Sequence, residues 1–342
     1  MSNHAGRLLV WAIAVAWPGV DARGAEPGEV AKLVARRGGR IVELSVGDEP
    51  ARVRLALGGT QVSDADLDQL VTLPHLAEID LSSTLVTDTG AGHLAGCATL
   101  EAVDLSRTRI SDDGLSALAG LPRLTSLRVG FTHVRGRGLP GLRRLETLGL
   151  DGPQTTDATL KHLAGLDKLK SLSLNLSRVT DPGLSRLVGL TGLESLSLCG
   201  TRIGDGGLVH LSKVKGLTRL ELSGTRVSDA GLKALGTMPS LVQVGLDGTT
   251  VGDAGLVHLV GLERLERLGL SATRVGDRGT LALARLTSLK RLSLATSRVT
   301  DSGLLALRKV SSLQRLVLTL TATTDMGVAG LREAIPGLEV DR

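Results

Sequence analysis

The sequence predicts an α/β solenoid, with a curved parallel β-sheet on the concave side and short helices on the convex side. Three observations carry that prediction. First, one segment recurs: leading leucines stand at Leu76, Leu100, Leu124, Leu145, Leu169, Leu193, Leu217, Leu241, Leu265, Leu289 and Leu313, a step of 24 residues except for one of 21 after Leu124. Second, each segment holds two periodicities. In Leu217 to Ser240, Leu220 and Leu222 alternate with Arg219, Glu221 and Ser223, as in a strand with one buried face. Leu232 and Leu235 then keep helical spacing after Asp229-Ala230-Gly231. Third, a unit of this size cannot bury its own leucines, so successive units must stack and close a shared core.

Residues 1–25 read as an export leader. Arg7 precedes the apolar run LLVWAIAVAW (8–17), and small residues such as Ala22, Gly24 and Ala25 follow Pro18-Gly19 as cleavage sites. The run is far shorter than the ~20 residues of a membrane span, so a cleaved leader is expected and no span after its removal. Both tryptophans, Trp11 and Trp17, lie in this leader, tyrosine is absent, and Phe131 is the one phenylalanine.

Residues 26–51 form the N-terminal cap. Val30, Leu33 and Val34 have helical spacing, with Gly38-Gly39 as a stop. IVELSV (41–46) and RVRLAL (52–57) read as two strands joined by a turn containing Gly47, Asp48 and Pro50. The helix and hairpin would cover the open end of the core. The array, 52–342, begins with a worn unit at Arg52 and runs through eleven full ones. Ile335-Pro336-Gly337 stops the last helix, and Leu338 to Val340 forms a terminal strand whose charged neighbours discourage edge pairing.

The strand pattern LxxLxL, followed by helix halves such as VSDAGLKAL (227–235) and VTDSGLLAL (299–307), resembles the leucine-rich repeat family over roughly the last five-sixths of the chain. The helix half is similar to repeats of F-box substrate receptors and of exported bacterial arrays. Where those repeats usually place Asn or Cys, this chain has Thr, as at Thr84, Thr108, Thr201, Thr225, Thr249 and Thr273. A hydroxyl there can still bond neighbouring backbone.

Stacking turns each repeat position into a column. One column is aspartate almost throughout, from Asp88 to Asp325, and is read as a row of helix N-caps in preference to a calcium site. Pro182 after Asp181 fits that reading, since proline suits the first helical position. Glycine follows two residues later, where a missing side chain lets units pack closely. His93, His162, His210 and His258 share a helix position but come from units that are not neighbours, so a shared metal is not expected. Cys97 falls at a core position and Cys199 on the strand face, far too distant for a disulfide. No cofactor is expected.

The strand face opposite the core is where the resemblance places a ligand. It runs from acidic at Glu78, Asp80 and Asp104 to basic at Arg219, Arg267, Arg291 and Arg315. A second column, Arg109, Arg178, Arg202, Arg226, Arg274 and Arg298, lies just past the strands, and the net charge is +5. Such a stripe can steer a protein or an anionic envelope polymer. Nucleic acid is not expected, because stacking aromatics are missing. The shortened unit, VGFTHVRGRGLPGLRR (129–144), has Gly136 in the aspartate column and Pro140 inside the expected helix, which should reduce it to a loop or one turn. Phe131 and Arg135 on it are further candidate contacts.

No GxSxG, HExxH, GxxxxGK[ST] or metal-spaced cysteine pair occurs, so the chain is read as a non-enzymatic recognition scaffold, exported and binding through the concave face. Two alternatives stand beside it: an intracellular adapter for ubiquitin-dependent degradation, as the F-box resemblance would imply, and a purely architectural spacer.

Overall fold

The computed structural model describes residues 27–44 and 52–342. The leader and the turn through Gly47, Asp48 and Pro50 lie outside the described residues. The chain divides into two compact units, one ending at Gly149 and one beginning at Leu150.

In the first unit, helix α1 (Pro27–Arg36) buries Val30, Leu33 and Val34. Strand β1 (Arg40–Glu43) runs antiparallel to β2 (Val53–Ala56), with Ile41 opposite Leu55. Four parallel strands follow in chain order: β3 (Leu76–Asp80), β4 (Ala102–Asp104), β5 (Ser126–Arg128) and β6 (Thr147–Gly149). Helices at Asp64–Leu70, Asp88–Leu94 and Asp112–Ala117 alternate with them. The shortened repeat carries a single 3-10 turn, Leu139–Gly141, as its proline dictates.

The second unit repeats the plan. Its strands are β7 (Ser171–Ser173), β8 (Ser195–Ser197), β9 (Arg219–Glu221), β10 (Gln243–Gly245), β11 (Arg267–Gly269), β12 (Arg291–Ser293), β13 (Arg315–Val317) and β14 (Glu339–Asp341), all parallel neighbours. The last strand starts one residue later than the sequence suggested, because Asp341 pairs with Val317. The middle residue of each strand points inward in register: Leu196, Leu220, Val244, Leu268, Leu292 and Leu316 are all at most 2% exposed. Leu232 and Leu235, on the helix of the same repeat, close the core from the other side.

The aspartate column corrects the sequence reading. Each Asp occupies the first helical position, and the N-cap is the residue before it, such as Thr87, Ser111, Ser228 or Thr300. The carboxylate reaches forward to the N-cap of the following repeat. Asp205 Oδ1 accepts from the Ser228 amide at 2.8 Å and Oδ2 from the Ser228 hydroxyl at 2.6 Å. Ser228 Oγ in turn accepts from the Ala230 amide, so one chain of bonds runs from repeat to repeat. The same pattern joins Asp64 to Thr87, Asp157 to Thr180, and Asp277 to Thr300. Where the N-cap is glycine, as at Gly204, Gly252 and Gly276, the amide bond alone remains. A residue at the first helical position cannot easily turn back to its own amides, but the next helix start lies within reach.

The glycine column follows from this. A Cβ on Gly114, Gly183, Gly231 or Gly327 would strike the carboxylate of Asp88, Asp157, Asp205 or Asp301. Two repeats have no preceding aspartate, and both depart from glycine. In the first, Asp66 accepts from the Ser63 amide at 2.9 Å. In the repeat after Gly136, the Thr156 amide donates to Thr159 Oγ1 at 3.2 Å. Each closes its own capping box instead.

Past each strand, the threonine hydroxyl donates to the carbonyl three residues back: Thr84 to Leu81, Thr225 to Leu222 and Thr273 to Leu270, each at 2.6 Å. The expected backbone bond is thus local to the repeat. Ser297 holds this place in one repeat, and its hydroxyl is buried without a partner.

Between strand and threonine the chain turns through the left-handed region at one fixed position. Glycine holds it in several repeats, among them Gly200, Gly224 and Gly248 with φ from 66 to 68°, but Leu176, Ala272 and Leu320 hold it elsewhere at 55, 53 and 58°. A side chain there carries a steric cost of roughly 1–2 kcal/mol that glycine avoids. Leu320 is 80% exposed and has little packing to lose. Leu320→Gly should therefore raise stability by about 1 kcal/mol, read as a higher urea midpoint at unchanged slope.

Candidate functional site

The second unit carries a groove of about 420 Å³ across the outer face of β9 to β13. Alternation along each strand sends the middle residue into the core and the flanking residues outward, so adjacent strands lay those residues in rows. The first-residue row is Arg219, Gln243, Arg267, Arg291 and Arg315; the third-residue row is Glu221, Gly245, Gly269, Ser293 and Val317. Long side chains in one row and small ones in the other leave a trough with an arginine wall. Its floor is Gly245, Gly269 and Ser293.

The wall is not evenly neutralised. Arg315 donates to Asp341 through Nε at 3.0 Å and Nη2 at 2.6 Å. Arg267 donates through Nη1 to Gln243 Oε1 at 3.2 Å. Arg291, directly beside Arg267 and Arg315 in register, makes no ion pair among the described residues. Like charges side by side on a sheet repel, so this row favours an external anion.

Opposite charge closes one end. Glu221 lies over Gly245, where a Cβ would strike its carboxylate, and accepts from Gln243 Nε2 at 2.7 Å. Asp247 lies over Gly269 and accepts from the Ser271 amide at 2.6 Å. Burial pushes the Glu221 pKa above the ordinary glutamate value; the Gln243 bond opposes this and the Asp247 charge adds to it.

Of the sequence candidates, the structure brings Arg267, Arg291 and Arg315 together in this groove, while Arg219, on its edge strand β9, is not among the lining residues. Glu78, Asp80 and Asp104 line a separate recess of about 430 Å³ in the first unit, with Arg54, Glu101 and Arg128. Their acidity is partly consumed. Asp80 Oδ1 accepts from the Ser82 amide and hydroxyl at 3.0 and 2.7 Å, and Asp104 accepts from the Ser106 amide at 2.9 Å. Glu101 pairs with Arg52. Phe131 lies under the Arg107 guanidinium, 4.7 Å from ring centroid to carbon, on the left-handed turn. Arg135 lines a different recess with Asp112, Asp113, Ser116, His133 and Arg137, which Phe131 does not reach. Its backbone amide, with those of Gly136 and Arg137, is held by Asp112 Oδ1.

Sequence reasoning places Glu221, Gln243 and Asp247 on the outward strand face but does not single them out as site residues. The available signal was the run of small residues at one strand position, Gly245, Gly269 and Ser293, beside a run of arginines. Cys97 is buried, Cys199 is half-buried, and both are free. Among the described residues, no group of three or more His, Cys, Asp or Glu side chains is placed to hold a metal, and no helix is long and apolar enough to cross a membrane.

The perturbed Glu221 makes stability depend on pH. With its folded pKa raised, the native state binds more protons than the unfolded state between the two values. Stability therefore falls as pH rises from the ordinary glutamate pKa through the raised one. Glu221→Gln should remove that part of the slope, measured as urea midpoints across the acidic range; an unchanged slope contradicts the assignment.

The family model for the leucine-rich repeat matches residues 96–119 and 217–236. No curated protein matches the chain. Similar solved structures include an internalin from Listeria monocytogenes, at 19% identity over 92% of this chain and 94% of that one with a TM-score of 0.62, and a leucine-rich repeat protein of Leptospira interrogans, at 16% identity over 82% and 81% with a TM-score of 0.53. At these identities the likeness concerns the fold. Together with the 24-residue period, the parallel strands in register and the helices between them, it gives the chain the fold of a leucine-rich repeat solenoid.

Proposed function

We propose that this chain is a non-enzymatic recognition scaffold that, once exported, holds a protein or an anionic envelope component on the strand face of its second unit. The leucine-rich repeat fold is in general a protein-binding scaffold. The observation that carries the proposal further is the arginine wall: Arg267, Arg291 and Arg315 stand on adjacent strands, and Arg291 between the other two has no counter-ion among the described residues. A purely architectural spacer has no use for such a row, since its mutual repulsion opposes folding.

The arginine column past the strands, including Arg178, Arg202 and Arg226, is also exposed and would add to the field that steers an anion. Export rests on Arg7 and the apolar run after it. The groove contains no tryptophan or tyrosine, the residues that anchor tight protein interfaces, so charge-dominated and salt-sensitive binding is the expectation.

Two measurements test this. Immobilised protein should capture a partner from the envelope fraction at low salt and release it at high salt. Joint reversal of Arg219, Arg267, Arg291 and Arg315 to Glu should abolish capture, whereas a spacer would be indifferent. Export predicts that the natural protein fractionates with the envelope or medium and absorbs almost nothing at 280 nm, since both tryptophans leave with the leader. A cytosolic pool with an intact N-terminus contradicts it.

A further inference from the structure

We propose that the helix face of the second unit, over the repeats that carry Val257, Leu281 and Leu305, seats the chain on an anionic lipid surface. These side chains hold one position in consecutive repeats and are 54, 64 and 57% exposed. The fold does not ask for them. The same position is Gly92, Ser116, Lys161 and Ser185 in earlier repeats, so a polar or absent side chain serves there equally well. Neighbouring helices approach closely enough to make the row continuous, since a Cβ on Gly279 or Gly303 would meet Leu256 or Thr280 of the helix before. Ala282 and Ala306, each next in sequence and half-buried, widen the apolar surface beside the two leucines.

The charges around the row are of one sign where it is most apolar. In the helices Asp277–Leu283 and Asp301–Leu307 and the turns after them, the charged side chains outside the aspartate column are Arg278, Arg285, Arg308 and Lys309. Arg278 stands three residues before Leu281, while Arg285 and Lys309 stand four residues after Leu281 and Leu305, which sets each beside its leucine on the helix surface. All four bases are exposed, and none makes an ion pair among the described residues. Asp277 and Asp301, at the helix starts, are held by the amides and hydroxyls of Thr300 and Thr324. Outside that column the flanking repeats add the acids Glu263 and Glu333 to their helix side.

Exposed leucine and valine rimmed by lysine and arginine suit a membrane interface, where the apolar side chains enter the boundary of the acyl region and the bases meet anionic headgroups. A second copy of the chain fits less well, because an isologous contact through this patch would set basic rim against basic rim. A soluble anion would leave the leucines in water. Seated on its helix side, the unit turns the strand face and its arginine wall away from the lipid. The surface is therefore additional to the groove and does not rest on it.

The chain from Glu26 onward, freed of its apolar leader, has no tryptophan or tyrosine, so Leu281→Trp supplies a reporter of its own position. Its emission should shift to the blue on adding vesicles of phosphatidylcholine and phosphatidylglycerol in equal parts, and stay unchanged with phosphatidylcholine alone. Lys161→Trp, at the same position of an earlier repeat, should shift with neither. In co-sedimentation with the anionic vesicles, Leu281→Ser combined with Leu305→Ser should weaken binding about tenfold, as should Arg285→Gln combined with Lys309→Gln. Lys168→Gln, an exposed base in a distant repeat of the same unit, should leave binding as it was. Circular dichroism melts confirm that each variant is folded. An unshifted Leu281→Trp emission with anionic vesicles, an equal shift from Lys161→Trp, or self-association without lipid that Leu281→Ser abolishes overturns the inference. The groove reading stands or falls separately, on arginine-dependent capture.

Discussion

Within each unit the stacking of one repeat on the next depends on a carboxylate placed across the joint. An Asp at the first turn of one helix takes the amide, and where possible the hydroxyl, of the next helix's N-cap, as Asp157 takes both from Thr180. Parallel strands alone fix the sheet side of a repeat, and buried leucines are non-directional. The carboxylate fixes the helix side, because it satisfies a helix-start amide that otherwise has no partner. A glycine two residues further on supplies the space, and where no carboxylate arrives, Asp66 and Thr159 fill that space and cap their own helices. The two columns are one device.

The strand register that this stacking maintains also makes the groove. Equivalent positions of β10 to β13 lie side by side, so a substitution pattern in sequence becomes a surface: Gly245, Gly269 and Ser293 a floor, Arg267, Arg291 and Arg315 a wall. Glu221 and Asp247 fold over the glycines that follow them, and they add an acidic end that the arginines alone would lack. Substitutions at single positions of the array therefore shape the surface, while the repeat itself maintains the stacking.

Much of this was legible in the sequence. The period of 24, the alternation of Leu220 and Leu222 with polar residues, and the helical spacing of Leu232 and Leu235 lead directly to the fold, because burial of apolar side chains constrains spacing. Pro140 announced the single turn of the shortened repeat. The role of the aspartates was only half legible: an acceptor at a helix start suggests a cap on its own helix, whereas the partner, a repeat away in sequence, is visible only when side-chain direction is known. The left-handed turn was hidden for a similar reason: glycine marks it at Gly200, Gly224 and Gly248, but Leu176 and Leu320 accept the strain elsewhere. The arginines were readable as a column, but the groove was not, because a floor is made by what is absent from the side chains.

A double-mutant cycle at Asp157 and Gly183 tests the joint most directly, since the three heavy atoms nearest a Cβ at Gly183 all belong to Asp157. In the natural background Gly183→Ala should destabilise, because the new methyl displaces the carboxylate. With Asp157→Ala already present, the same change should become neutral or favourable, as alanine in a helix is preferred to glycine by about 1 kcal/mol, giving a coupling of about 1 kcal/mol or more. Equal costs in both backgrounds would show that the glycine answers to something other than the carboxylate, and the account of the stacking would fail.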